Sequence, residues 1–356
     1  MINGKYRTFM VAILFFLIVT LFFYLLIVGV MPKYKTVSSK EDIATTDMAE
    51  SYICLDASLS ECYMGRLYSP EDFEKGILTQ GDADAKYATN RITVPVEPGK
   101  TYGITGQSAT YAQKVYVNGR LLSEIGCVSD NETDFVPKTD RYTVYFTADS
   151  DKAEIIIQNA WFNHVSGAFH KIYMAQQQVI IRHDRAETLC DGLITGTLLA
   201  MTIFFFGMFL FYQSRRSMLW FSLSCLCAAV HYLIYESKQI MVFFPDLNWY
   251  VGHKLEYITN SYYFLFMALF AASMLKLKFN KNFVKVTSAF VIALTLYYII
   301  APSQQYTKYI VPISGAVILY DIFVSIYMFY TALKRKLLKR WENIVVCMTV
   351  FLTAAV

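Results

Sequence analysis

The chain has 356 residues, of which 55% are hydrophobic, and a formal net charge of +4. This composition excludes an ordinary soluble protein, and so small a charge gives no reason to expect a nucleic-acid partner. The seven cysteines form no CxxC pair, so no zinc-ribbon or thioredoxin-like motif is indicated.

The N-terminal segment, residues 1–31, is predicted to be a cytoplasmic start followed by a signal anchor. The run from Phe9 to Val30 carries no charge and is long enough to cross a bilayer. No small-residue cleavage pattern follows it, so we expect the anchor to be retained. Cleavage is the alternative.

Residues 45–178 are predicted to form a β-sandwich domain. The stretch Arg91–Glu97 alternates apolar and polar residues, which is typical of a half-buried strand. Asn118-Gly119 lies between two β-type runs and favours a type I′ hairpin turn. Short strands at regular spacing indicate an antiparallel sandwich, and residues 71–75 indicate a short helix. Cys54 and Cys62 are candidates for a small-loop disulfide or for two free thiols.

A helical neck, residues 179–190, is predicted to join the sandwich to a transmembrane helix bundle, residues 191–356. The neck is the only obvious continuous covalent link between the two parts, so we predict that it couples them. The apolar runs long enough to span are roughly 9–30, 191–212, 218–236, 252–275, 284–301, 309–331 and 342 onward. The last begins at Trp341 and is short for a crossing, so a further span and a cytoplasmic segment are expected beyond it.

Basic residues cluster at alternate ends of these runs, which predicts the orientation in the membrane. If each run spans once, every basic cluster falls on one side, as the positive-inside rule requires. This puts the N-terminus in the cytoplasm and residues 32–190 outside the cell. The clusters are Lys5 with Arg7, Arg215 with Arg216, Lys276 to Lys285, and Lys334 to Arg340.

Polar residues concentrate in the outer third of the predicted bundle and allow two interpretations. They either meet water at the membrane surface or line a polar pocket beneath the sandwich, where a ligand or the docked domain biases the helices. Glu256 and Asn260 are four residues apart and share a helix face. The full set is Asp191, His231, Glu236, His253, Glu256 and Asn260.

Asp321 lies near the middle of its predicted span. A carboxylate at that depth costs about 2.5–3.5 kcal/mol on insertion scales, so it should face the bundle, be paired or be protonated. A structural hydrogen bond between helices and a switch role are both open, with His231 and Asn260 as candidate partners.

A carbohydrate-type site on the sandwich is a further hypothesis. An aromatic ring would stack on a sugar face, although aromatic residues on sandwiches are often only partial core. The candidate residues are Tyr111, Arg120, Trp161 and His164. No catalytic motif is present, and we predict neither a metal site nor a cofactor, so the histidines are interpreted as structural.

Several stretches carry a resemblance to a known family. They are GRLYSPEDF from Gly65, VEPGKTYGI from Val96, YAQKVYVNGRLLSEIG from Tyr111 and WFNHVSGAF from Trp161. With the order of parts, the chain resembles bacterial seven-transmembrane receptors with diverse intracellular signalling modules. The last motif departs from the family pattern at Trp161, Val165 and Ala168. The usual tryptophan near Cys62 is also absent.

The resemblance implies an extracellular jelly-roll sandwich of galactose-binding-like type on a membrane α-helical bundle. It implies a signalling receptor in the bacterial cell membrane whose output domain, for example a histidine kinase or a cyclase, lies beyond residue 356. The chain given would itself be no enzyme. Its partners would be the bilayer and an unknown extracellular ligand, for which a carbohydrate is one candidate, and a homodimer is left open. The alternatives are a multi-pass transporter or enzyme with an accessory external domain, and a binding module merely anchored by its spans.

Overall fold

The computed structural model describes residues 31–334 except 36, 38, 77, 109–110, 166–170, 213–215 and 275–280, together with three isolated positions nearer the N-terminus. Within that part, several side chains of the last helices, including that of Asp321, are not described. Apart from those three positions, the predicted first membrane span lies outside the described residues, and so does the predicted last span.

The N-terminal half is a β-sandwich of two five-stranded sheets. Sheet one has the order β1-β2-β10-β5-β8, and sheet two has the order β3-β4-β9-β6-β7. All the described strand pairs are antiparallel except β1 with β2. The strands are β1 (Lys33–Lys35), β2 (Ser51–Leu55), β3 (Glu61–Met64), β4 (Tyr87–Pro95), β5 (Thr101–Ser108), β6 (Ala112–Val117), β7 (Arg120–Ile125), β8 (Asp140–Thr147), β9 (Lys152–Ala160) and β10 (Ile172–Gln176). The predicted sandwich is confirmed.

The core lies between the two sheets, where the alternating apolar side chains of facing strands meet. Ile92 and Val94 of β4 and Ile155 and Ile157 of β9, two neighbouring strands of sheet two, belong to this core, and each is at most 1% exposed. The alternation seen in the sequence therefore identified the inward face of β4. Two short helices, α1 (Lys40–Ala44) and α2 (Pro70–Lys75), precede the central strands, and α2 covers the short helix predicted at residues 71–75.

The β6–β7 hairpin has the turn that its sequence predicts. Asn118 has φ of 47° and Gly119 has φ of 78°. A type I′ turn requires positive φ at both central residues, and Asn-Gly tolerates this conformation best. The turn fixes the register in which Val117 pairs with Arg120.

The C-terminal half is helical. Its helices are α3 (Gln177–Phe211), α4 (Arg216–Tyr235), α5 (Ile240–Phe243), α6 (Trp249–Met274), α7 (Lys281–Ile300), α8 (Ser303–Lys308) and α9 (Ile310–Lys334). Within the described ranges, α3 and α4 are the two helices long and apolar enough to cross a membrane, and Lys285–Ile300 is a shorter apolar helix. The α4 helix packs against α3 on one side and α6 on the other.

The long helix α3 connects the two halves without a break. It has 35 residues and is therefore about 52 Å long. Its first turns pack on sheet one, where Val179 and Ile180 are buried with Ala175. A Cβ atom at Gly103 of β5 would lie 3.0 Å from the Cβ atom of Ile180, so only glycine lets the helix come this close to the sheet.

The structure does not form the disulfide considered for Cys54 and Cys62. Both thiols are free, with Cys54 buried and Cys62 exposed. Cys54 lies on β2 of sheet one, whereas Cys62 lies on β3 of sheet two. The two cysteines are close in sequence, but the short turn between them moves the chain from one sheet to the other.

Candidate functional site at the junction of the sandwich and the helices

The two halves of the protein are held together by an arginine of the sandwich. Arg141 of β8 places Nη1 at 3.1 Å from Oδ2 of Asp191 in α3. Its Nη2 donates a 2.9 Å hydrogen bond to the backbone oxygen of Glu236, just after α4. Nη1 also lies 3.4 Å from Oε2 of Glu187. One side chain of the sandwich therefore contacts two helices, and we call this region the junction.

Asp191 is the buried acceptor of the junction. Its side chain is only 7% exposed, and the Tyr232 hydroxyl donates a 2.7 Å hydrogen bond to Oδ1. A buried carboxylate needs a cationic partner and hydrogen bonds to offset its desolvation. Arg141 and Tyr232 provide both, so the charge of Asp191 ties β8, α3 and α4 together.

A cavity of about 390 Å³ opens beside this ion pair. Its volume lies within the range of small-molecule sites in proteins, about 300–1,000 Å³. It is bounded by sheet one, by the first turns of α3 and by the loop after α4. The lining residues are Thr105, Gly106, Gln107, Arg141, Lys171, Tyr173, His183, Glu187 and Glu236.

A group of one imidazole and two carboxylates lies at the cavity, with His183 and Glu187 on its wall. His183, Asp184 and Glu187 each present one donor atom, and these atoms lie within 4.8 Å of one another. The Thr143 hydroxyl of β8 donates a 2.7 Å hydrogen bond to Oδ2 of Asp184. The spacing i, i+1 and i+4 in HDRAE is the sequence signal that indicates this group.

The His183 ring is fixed by two tyrosines of sheet one. Its centroid lies 4.7 Å from that of Tyr52 and 5.6 Å from that of Tyr173. Burial is the main cause that raises the pKa of both phenols, so both rings stay neutral at physiological pH. Aromatic packing thus orients the imidazole without adding a charge beside it.

A second contact joins the loop after β9 to the helices. Nε2 of Gln304 in α8 donates a hydrogen bond to the backbone oxygen of Phe162. The ring of His164 lies 6.4 Å from that of His253 in α6. His253 stacks on Trp249 at 4.5 Å, and its Nδ1 lies 3.3 Å from Oε2 of Glu256. Two of the predicted outer-face residues, His253 and Glu256, therefore lie beneath the sandwich.

Of the remaining predicted polar residues of the helices, His231 adjoins this second contact, whereas Asn260 is exposed. Nδ1 of His231 lies 3.2 Å from the backbone oxygen of Glu256. Asn260 is exposed, whereas the Glu256 side chain is only 13% exposed, so they do not form one site. Asp321 lies on α9, and its side chain is outside the described residues.

The carbohydrate-type site predicted on the sandwich is not formed as expected. Tyr111 is fully buried and Trp161 is 4% exposed, and both pack with Ala88 in a small core cluster. Neither ring offers a free face for a sugar. Arg120 is exposed where β7 begins, and His164 lies in the loop after β9. The two aromatic residues are core, which was the alternative interpretation.

Sequence reasoning missed Arg141 and the cavity beside it. Arg141 begins the β-type run RYTVYFTA, but nothing in the pattern of this run shows that the Arg141 side chain contacts Asp191, 50 positions further along the chain. An arginine at the start of a strand is ordinary on a solvated sheet face. The sequence feature that indicates this contact is Asp191. It is an acidic residue at the start of an apolar run and therefore requires a partner.

Comparisons with known proteins bear on the two halves differently. A putative β-galactosidase from Bacteroides fragilis is 12% identical over 36% of this chain and 24% of its own, with a TM-score of 0.24. The PA14 sugar-binding domain from an RTX adhesin is 16% identical over 39% and 78%, with a TM-score of 0.21. A β-glucosidase from Kluyveromyces marxianus matches at 12% identity over 31% and 13%, with a TM-score of 0.19.

These scores are too low to carry an argument about ligand or activity. The chain spans less than a quarter of the length of either glycosidase. No curated protein matches the chain in sequence.

The helical half has a definite assignment. Residues 187–356 match the family model described as 7TM diverse intracellular signalling. With the two apolar helices α3 and α4, this match makes the chain a membrane protein. The match covers the junction residues Glu187 and Asp191 as well as the helices that follow. Over residues 187–356, just under half of its length, the chain is therefore similar to the 7TM diverse intracellular signalling family.

Proposed function

We propose that the chain is the sensor portion of a transmembrane signalling receptor. The sandwich lies outside the cell and the helices cross the membrane several times. A ligand or partner that binds the sandwich side shifts the helices between two packings. The ligand can shift this equilibrium only by as much free energy as its binding to the two packings differs.

The observation that carries this proposal is the bridge made by Arg141. A binding module that is merely anchored needs one helix and no buried ion pair with it. Here the sandwich offers a cation to a buried carboxylate of α3 and to the exposed carbonyl end of α4. A small rotation of the sandwich would break one of these bonds, so the two halves are coupled in free energy.

The relay passes along α3 in this proposal. Its first turns are fixed to sheet one through Ile180 and His183, and its apolar part packs against α4. The basic residues at alternate ends of the apolar runs support a cytoplasmic position for the far end of α3. An output domain after residue 356 would read the outcome.

Insertions in α3 test the relay in the full-length receptor. Two alanines between Glu187 and Thr188 rotate the rest of the helix by about 200°, whereas four rotate it by about 40° net. We expect the two-residue insertion to fix the output activity at one extreme and the four-residue insertion to change it less. The output is measured as autophosphorylation or nucleotide turnover by the domain that follows the helices.

The matched control is a two-residue insertion after Gly119, in the exposed turn of the β6–β7 hairpin. It adds the same length to the sandwich without touching α3, and we expect wild-type output from it. Wild-type output from all three insertions would refute a rigid relay through α3.

A further inference from the structure

We propose that His183, Asp184 and Glu187 form a binding site for a divalent transition-metal ion of the Mn²⁺ and Zn²⁺ class. The three donor atoms lie within 4.8 Å of one another. A bound ion with bonds of about 2.0–2.2 Å holds its donors about 3–4 Å apart. A small change in the exposed end of Glu187 therefore brings the set to bonding geometry.

The donor set suits such an ion. One imidazole with two carboxylates is the mixture of nitrogen and oxygen ligands that Mn²⁺ and Zn²⁺ accept. Three protein ligands leave coordination positions for water or for part of a ligand. His183 and Glu187 line the 390 Å³ cavity, so those positions face an open path to solvent.

The surroundings orient the ligands before any ion binds. Thr143 holds one oxygen of Asp184 at 2.7 Å, which directs the other oxygen toward His183. Tyr52 and Tyr173 hold the plane of the imidazole. Neighbours that fix metal ligands in this way typically change metal affinity about 10–100-fold when they are removed.

The local charge also favours a dication. Arg141 lies 3.4 Å from the Glu187 carboxylate and 3.1 Å from that of Asp191, and the donor set adds the carboxylate of Asp184. Lys171 is on the cavity wall but is exposed, so water screens its charge. The net charge at the site is negative.

Metal binding would act on the junction, a consequence that rests on the proposed receptor function. Glu187 lies 3.4 Å from Arg141, and a metal ion at Glu187 would compete for the same carboxylate. Arg141 would then be left with Asp191 and the Glu236 carbonyl. The ion would thereby change the balance between the contacts that Arg141 makes to α3 and to α4.

Mn²⁺ is the appropriate probe, because free thiols such as the exposed Cys62 compete for Zn²⁺ but bind Mn²⁺ weakly. The tag-free chain in lipid nanodiscs is titrated with Mn²⁺, and the loss of the free-ion electron paramagnetic resonance signal measures binding. We expect one site per chain. Glu187→Gln and Asp184→Asn, which keep the side-chain shape, should each weaken binding at least about tenfold.

Glu236→Gln is the matched control, since it removes a carboxylate from the same cavity but not from the donor set. It should bind Mn²⁺ like the wild type. An unchanged free-ion signal at millimolar Mn²⁺, or equal binding by the Glu187 and Asp184 variants, would overturn the proposal. This assay needs no signalling output, so its failure is distinguishable from a failure of the receptor function.

Discussion

Replacing Arg141 with leucine should weaken the packing of the sandwich on the helices by about 3 kcal/mol, because the Asp191 carboxylate loses its cation while still buried. We place the effect at the lower end of the range for broken buried pairs, since the Arg141 side chain is 29% exposed and water can partly replace it. The free energy of local opening of α3, obtained from amide hydrogen exchange in nanodiscs, measures the loss.

A double-mutant cycle identifies the partner. Asp191→Asn should cost much less in the Arg141→Leu background than in the wild type, with a coupling energy of about 1–3 kcal/mol. Arg182→Leu is the matched control, because Arg182 is exposed on the same stretch of α3 and has no described partner in this structure. Additive effects of the Arg141 and Asp191 substitutions would mean that the two side chains do not stabilise each other.

Because of Lys238, we expect the stability of the protein to rise with pH in the alkaline range. Its side chain is in the loop after α4, 5% exposed, and burial lowers the pKa to about 8, against the opposing charges of Glu256 and Glu236. In the unfolded chain, the ammonium group of Lys238 has a pKa of about 10.4. Between these two values the unfolded state binds more protons than the folded state, so stability rises with pH by about 3 kcal/mol.

Thermal unfolding of the wild type and of Lys238→Met at pH 7.5 and pH 10 measures this difference. We expect the wild type to gain several degrees relative to the variant as the pH rises. Lys308→Met is the matched control, since Lys308 is exposed and its removal should leave the pH profile as in the wild type. Parallel profiles for the wild type and Lys238→Met would show that Lys238 is not buried as a cation.

The strands and the first helix of the apolar region could be predicted from the sequence because their signals are local. Ile92 and Val94 alternate with polar residues, and Asn118-Gly119 requires a tight turn, so each pattern allows one structure. The helix α3 joins a polar neck to an apolar run with no proline between them. These features need no knowledge of what lies opposite in space.

The site could not be predicted in the same way, because it depends on contacts across long stretches of sequence. Asp191 was recognisable as a polar residue in need of a partner, but Arg141 was not recognisable as that partner. Trp161 and Tyr111 illustrate the opposite error. Tryptophan and tyrosine are residue types that suit a sugar site, yet tertiary packing buries both rings. No local sequence pattern distinguishes an exposed sugar-binding ring from a buried core ring.

The central claim is that a change on the sandwich side of the junction alters the helices far from the junction. Amide hydrogen exchange of the nanodisc-embedded chain, compared between Arg141→Leu and Arg182→Leu, tests it directly. The account predicts that Arg141→Leu changes exchange in the far parts of α3 and α4, residues 197–211 and 216–228, whereas Arg182→Leu does not. A change confined to residues 177–191 and 232–239, with the rest of both helices as in the wild type, would contradict it.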